Sequence, residues 1–211
     1  EALRLQLDDV LVQFVPGAGV YGHSGADDAA FDAALVAKHL TNFSILLKWT
    51  REDEHSWEPY GSAMQCNLQA SVNSDGEITR WSHETFSDTF LTRPVVGKNP
   101  GSRLLSTHYM KQSKPWPVTP PMLTVHGGIH RNIEPIYNFP SPRLVKHRVY
   151  DLPLRTSALR ALGAFGNIFA IESMMDELAE ALKLDPFHFR LKHLSDEQGI
   201  QTLIRLKELV D

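Results

Sequence analysis

The 211-residue sequence holds one cysteine, Cys66, which excludes an internal disulfide and any zinc or iron–sulfur site built on several thiolates. Long apolar runs are missing too. Nothing approaches the roughly 20 residues that cross a bilayer, and no secretory h-region is present. Basic charge is not in excess: 21 Lys and Arg against 25 Asp and Glu leave a net charge of −4, which argues against a general nucleic-acid binder. Ten histidines are many, but no metal site is expected of them. His55 and His83 fall in strand- or turn-like segments, and His126 and His130 in a loop. What is present is ordinary for a soluble globular protein, 42% apolar and 22% charged, and long enough to bury one substantial core. The chain opens on Glu1 without a methionine, so a processed chain or a piece of a longer one is expected.

Apolar patterning divides the chain into three parts. VLVQFV (10–15) reads as a buried strand, VPGAGVYGHSG as a glycine-bent turn, DDAAFDAALVA as a helix, and SILLKWT (44–50) as a second strand. SAMQCNLQAS and EITRWSHETF are two β-like runs joined through Asn73, Ser74, Asp75 and Gly76, a strong hairpin signal. From 93 to 143 the chain is rich in proline and glycine, yet Trp116, Ile136, Tyr137 and Phe139 call for burial. KHRVYDLPL then reads as a strand. A helix over 168–183 follows, with Ile168, Ile171, Met175, Leu178 and Leu182 on one apolar face. Asp185 and Pro186 stop it and cap the helical PFHFRLKHL, and IQTLIRLKELV closes the chain. The expected fold is α+β: a mixed β-sheet with packed helices.

Three clusters carry possible chemistry. Strand, glycine turn and helix form the usual arrangement for holding an anion on backbone N–H groups. GxGxxG fits Gly17, Gly19 and Gly22, but no acid ends the next strand and no GK[ST] follows, so both nucleotide fingerprints fail. In TREDEHSWEPYG (50–61) Arg51 closes a buried strand among four acids, a pattern that ordinarily reads as a solvated charge run after a strand. LRTSALRALGAFGNIFAIESMMDELA (154–179) puts Arg160 three residues before Gly163, where it reaches either an anion near a helix start or Glu172.

Taken in order, GAGVYGHSGADDAAFDAALVA, WTREDEHSWEPYGSAM, LRTSALRALGAFGNIFAIESMMDELA and LDPFHFRLKHL resemble the molybdopterin-binding large (beta) subunit of molybdenum hydroxylases. This is the xanthine dehydrogenase and aldehyde oxidoreductase superfamily, and specifically its isoquinoline 1-oxidoreductase-like branch. The resemblance covers nearly all of 1–211 and implies a partial molybdopterin-binding domain.

Residue by residue, it implies that Gly19, Val20, Tyr21 and Gly22 form the turn beside the molybdenum–pterin centre, with Tyr21 as its aromatic residue. Gly25 stands where the xanthine dehydrogenase branch has a substrate-facing glutamate. Arg160 matches the arginine of an RGFG-like turn, written RALG here, and is the candidate catalytic residue. Leu162 replaces a purine-stacking phenylalanine, and Arg51 loosely matches a polar position of the substrate pocket. These departures argue against a purine substrate. The resemblance further implies a molybdopterin-type molybdenum cofactor and hydroxylation of an N-heterocycle or an aldehyde with oxygen from water. It also implies [2Fe–2S] clusters on an iron–sulfur small subunit, and a catalytic glutamate outside this chain. On that reading the chain alone is inactive, in a cytoplasmic or periplasmic protein. The competing expectations are a non-catalytic assembly domain or degenerate homologue, and a phosphate-binding domain unrelated to molybdenum.

Overall fold

The computed structural model describes residues 3–17, 25–90, 93, 103–113, 115–116 and 118–210. It divides into two compact units, one of Glu1–Ser62, Thr89–Pro120 and Leu152–Arg160, the other of Ala63–Asp88, Pro121–Asp151 and Ala161–Asp211.

The second unit holds the sheet. β1 (Met64–Val72) and β2 (Ile78–Ser87) pair antiparallel as the hairpin signal predicts. Asn73 Oδ1 accepts from the Asp75 and Glu77 N–H groups, and Gly76 takes the left-handed φ of 74° that closes the turn. β3 (Arg143–Arg148) joins β2 in parallel, so the sheet is mixed, in the order β1-β2-β3. β3 starts three residues before the KHRVYDLPL run because its ladder begins at the Ser82–Arg143 pair.

α3 (Ala164–Ala181) packs on this sheet, α4 (Pro186–His193) packs against α3, and α5 (Glu197–Val210) follows. Asp185 caps α4 by accepting from Phe187 N–H, and Pro186 occupies the first turn. The core gathers Trp81, Phe139, Ile171, Met175, Ala179 and Phe189, with Trp81 and Phe139 rings 4.5 Å apart. His193 is buried there: Ile78 N–H donates to its Nε2 at 3.1 Å, and its Nδ1 donates to Phe189 O at 2.8 Å. The α3 face is turned from the expected one. Ala164, Asn167, Ile171, Met175 and Ala179 are buried, whereas Ile168 is 45% exposed. The helix begins four residues earlier than its apolar pattern suggests, because Ala164, Gly166 and Asn167 are small or polar yet face inward or pack closely.

The first unit carries α1 (Asp28–His39) and α2 (Arg51–Trp57), with 3-10 turns at Leu7–Asp9 and Leu105–Tyr109. The strands expected at 10–15 and 44–50 do not form. A strand exists through its ladder, and neither segment has a partner strand among the described residues. Leu11 and Leu46 are 92% and 95% exposed. TREDEHSW is no charge run after a strand but a helix. Thr50 accepts from Asp53 N–H and Asp53 from Thr50 N–H, the capping box that T-x-x-D encodes. Of the aromatic and apolar residues expected to be buried in 93–143, Tyr137 and Phe139 are buried, while Trp116 and Ile136 are exposed.

Candidate cofactor-binding site

In the first unit, parts of the three sequence clusters meet. Asp28, the second of the two acids opening α1, is buried. Arg155 grips it with both terminal nitrogens, at 2.5 and 3.1 Å, and Leu105 N–H donates to Asp28 Oδ1 at 2.9 Å. The same guanidinium donates to Trp57 O and Arg103 O at 3.2 and 3.3 Å and lies 5.2 Å from the centre of the Trp116 ring. Trp116 in turn stacks on His108, with ring centres 4.0 Å apart. A bidentate arginine–carboxylate pair withdrawn from water is strongly coupled, because each charge depends on the other for its solvation. Beside it, Tyr60 N–H donates to Arg155 O and Ser157 N–H to Tyr60 O, both at 2.9 Å. The Ser157 hydroxyl donates to Gly25 O. The residue leaving the glycine stretch, the segment after α2 and the LRTS segment are thus knitted into one support.

In the second unit the turn before α3 is built under backbone strain. Ala161 and Leu162 take left-handed φ values of 77° and 52°, uncommon for side chains with a Cβ. They bring Gly163 so close to the Gly128 and Ile129 carbonyls that a Cβ there would lie 2.5 and 2.4 Å from their oxygens. Gly163 N–H donates to Gly128 O at 3.1 Å and Ala164 N–H to Ala161 O at 3.0 Å, so these donors at the start of α3 serve the protein's own carbonyls. Asn167, fully buried, secures the same loop: its amide nitrogen donates to Ile129 O and Arg131 O at 2.9 and 3.0 Å. Its oxygen accepts from the Thr85 hydroxyl at 2.6 Å and from the Cys66 thiol at 3.7 Å. Thr85, having donated, accepts from His83 Nε2 at 3.0 Å. Burial pulls the His83 pKa down to about 4, with the Ile133 backbone opposing only in part, so the ring is neutral at pH 7.

The candidate residues are dispersed between these features. Gly19, Val20, Tyr21 and Gly22 lie outside the described residues. Arg51 opens α2 as an exposed residue paired with Glu54 at 2.6 Å, and does not close a strand. Arg160 is exposed, and Leu162 is half-buried in the strained turn. Glu172, the other expected partner of Arg160, is held by the Tyr137 hydroxyl and by Arg190, each at 2.9 Å. Asp28 and Arg155 were not legible as a pair. Each stands inside a motif, but 127 residues separate them and only the fold joins them.

Residues 117–194 match the molybdopterin cofactor-binding domain, a span that contains the Gly128 loop, the turn before α3, and α4. A nicotinate dehydrogenase subunit of Pseudomonas putida is 33% identical over 201 residues, which is 94% of this chain and 15% of that protein. Over 117–194 the chain thus carries a molybdopterin cofactor-binding domain. The beta subunit of isoquinoline 1-oxidoreductase from Brevundimonas diminuta is 26% identical over 191 residues, 89% of this chain and 21% of that protein. The chain therefore spans between about a seventh and a fifth of the length of these curated relatives. Aldehyde oxidoreductase from Desulfovibrio gigas aligns on 78% of this chain and 15% of its own, at 20% identity and a TM-score of 0.49. The mixed sheet with packed helices agrees with the α+β expectation.

Proposed function

We propose that this chain supports the molybdopterin centre of an oxidoreductase that hydroxylates a carbon of an aromatic N-heterocycle, with an aldehyde as the second substrate class. The observation that carries the reading is the similarity along 94% of the chain to a nicotinate dehydrogenase subunit, joined by a second relative also named for an N-heterocycle. When bound, the molybdenum–pterin group supplies the two-electron oxidation and the oxygen derived from water. A small iron–sulfur subunit with [2Fe–2S] clusters is the proposed partner that would accept the electrons.

The residues present fit such a group. A bare buried carboxylate close to the glycine stretch in sequence would repel an anionic pterin phosphate, but Asp28 is neutralised by Arg155. Gly25 is fixed by Ser157, so the stretch leaves from a rigid anchor. Gly19, Val20, Tyr21 and Gly22 are the proposed cofactor contacts, their N–H groups serving as donors to the anion. Arg160, on the surface, offers a cation that orients a heterocycle nitrogen or an aldehyde oxygen and favours negative charge developing there. Leu162 and Arg51 are proposed as pocket residues, Leu162 giving an apolar wall in place of a purine-stacking ring.

The test is metal and pterin analysis of the complete subunit, produced with its iron–sulfur partner. We expect about one molybdenum per subunit, lost in Gly19→Val and Gly22→Val. Arg160→Met is expected to keep the metal and the melting temperature, and to lose roughly a hundredfold in kcat/KM. A metal-free wild-type subunit, or an Arg160→Met enzyme with unchanged kcat/KM, overturns the respective assignment.

A further inference from the structure

The sheet of the second unit has a second face, away from α3, and its register assembles a different kind of site. A cleft of about 570 Å³ opens there, lined by Arg80, Arg143, Ser71, Ser82 and Ser141 among others, and no carboxylate lines it. The ladder explains the set. Ser71 is paired with Arg80 across β1 and β2, and Ser82 with Arg143 across β2 and β3. Arg80 and Ser82 are two apart on β2 and project to the same side.

Two backbone irregularities border the cleft. The register slips between Ser71 and Val72, where Val72 pairs with Ile78 and Ser71 with Arg80, leaving Thr79 as the extra residue of a bulge. A bulge of this kind bends its strand and re-aims the neighbouring side chain, here Arg80. Ser141 takes a left-handed φ of 46° between Pro140 and Pro142, a conformation costly for a residue with a Cβ and one that clusters at functional sites. Arg80 makes no ion pair or side-chain hydrogen bond among the described residues. Arg143 uses one terminal nitrogen, Nη1, for Ser82 Oγ at 3.2 Å and for Glu84, whose carboxylate also faces His147 at 3.3 Å. The rest of the Arg143 fork and all of Arg80 remain for a ligand.

We infer that this cleft is a binding site for the phosphate group of a small phosphate monoester, held by the Arg80 and Arg143 guanidiniums with the Ser71, Ser82 and Ser141 hydroxyls. The Arg80 fork, the part of the Arg143 fork not held by Ser82 and Glu84, and three hydroxyls suit the oxygens of a phosphate. The volume lies in the range of small-molecule sites and exceeds what a free phosphate ion fills, which is why an ester is the ligand class. The inference does not depend on the molybdopterin reading, since none of these residues belongs to the support around Asp28 or to the turn before α3.

Calorimetric titration of the purified protein with glycerol 3-phosphate and, separately, with inorganic phosphate tests it. Saturable binding of the ester with a Kd below about 1 mM is expected. Arg80→Gln and Arg143→Gln should each weaken it about tenfold or more, and Arg80→Lys less, because lysine keeps the charge and loses the fork. Melting curves that match wild type for these surface variants show that the loss is one of binding. Tighter binding of the ester than of inorganic phosphate supports the proposal. Equal binding of the two reassigns the cleft to the free ion and overturns the ester. No saturable heat with either ligand, or titrations unchanged in the double arginine variant, removes the site.

Discussion

The two units of this chain are stabilised by opposite means. In the second, a contiguous apolar core of Trp81, Ile171, Met175 and Phe189 lies between a sheet and two helices. In the first, Phe90 and Pro59 are the buried apolar side chains among the described residues, against eight buried polar or charged ones that include Asp28, Arg103 and Ser157. Apolar burial is non-directional and tolerates adjustment, whereas a buried ion pair with satisfied hydrogen bonds fixes geometry at little net gain in stability. The unit that carries the glycine stretch is therefore positioned more than it is stabilised. That suits a support for a large polar ligand.

The sharpest way to break this contrast is at its two centres. Phe189→Ala removes a ring 1% exposed that also packs edge-on against His193. It should cost about 3 to 5 kcal/mol, read as a shifted urea midpoint, with loss of hydrogen-exchange protection throughout α3. Asp28→Asn leaves the Arg155 charge half-satisfied in the first unit and should cost about 3 kcal/mol there. Exchange should rise in α1 while α3 stays protected. Equal loss of protection in both helices would show that the two units unfold as one, and that the contrast has no thermodynamic content.

A third expectation concerns pH and belongs to the second unit alone. His83 is neutral and hydrogen-bonded in the fold with a pKa of about 4, against 6.5 for the free side chain. Because the folded value is the lower one, the unfolded chain takes up the proton first as pH falls. The contribution is complete above about pH 6.5 and is lost progressively towards pH 4. Some 2.5 pKa units correspond to about 3 kcal/mol at most. Urea midpoints of wild type and His83→Gln should therefore converge as pH is lowered from 7 to 4. Parallel curves would mean that burial of the neutral ring is not what His83 contributes. Protonation would also disturb the Thr85–Asn167 chain that holds the Ile129 and Arg131 carbonyls, so exchange in 128–131 is the local readout.

How far the sequence reveals this organisation follows the same division. The hairpin was legible because Asp75 and Gly76 sit between alternating runs, and α4 because Asp185 and Pro186 carry their own local instructions. The buried face of α3 was only partly legible. Asn167 is polar but sits at the centre of the packing, since Thr85 and two carbonyls satisfy it, and no periodicity of apolar residues shows that. In the first unit the capping box was present as T-x-x-D but was outweighed by the apolar run before it. The site's main contact, Asp28 with Arg155, leaves no local signal at all. The RALG turn carries a steric constraint, with left-handed Ala161 and Leu162 and no room for a Cβ at Gly163, that a periodicity of apolar residues does not register.

The smallest expected effect is the most discriminating for the first unit. Leu11 and Leu46 lie in segments whose composition is that of buried strands, yet both are almost fully exposed. Leu11→Ser and Leu46→Ser therefore remove no buried area. Their urea midpoints should then stay within about 0.5 kcal/mol of wild type, the range of ordinary surface substitutions. If instead the two segments pair and bury these side chains, each change forfeits a Leu transfer of about 2 kcal/mol or more, and exchange rises along 10–16 and 44–50 together. The same substitutions in a complete subunit sharpen the point. A cost that is absent in this chain and present in the longer protein identifies the two segments as strands that need further chain to complete their ladder. A cost absent from both leaves them as surface, and the apolar pattern of 10–15 and 44–50 then has no structural role.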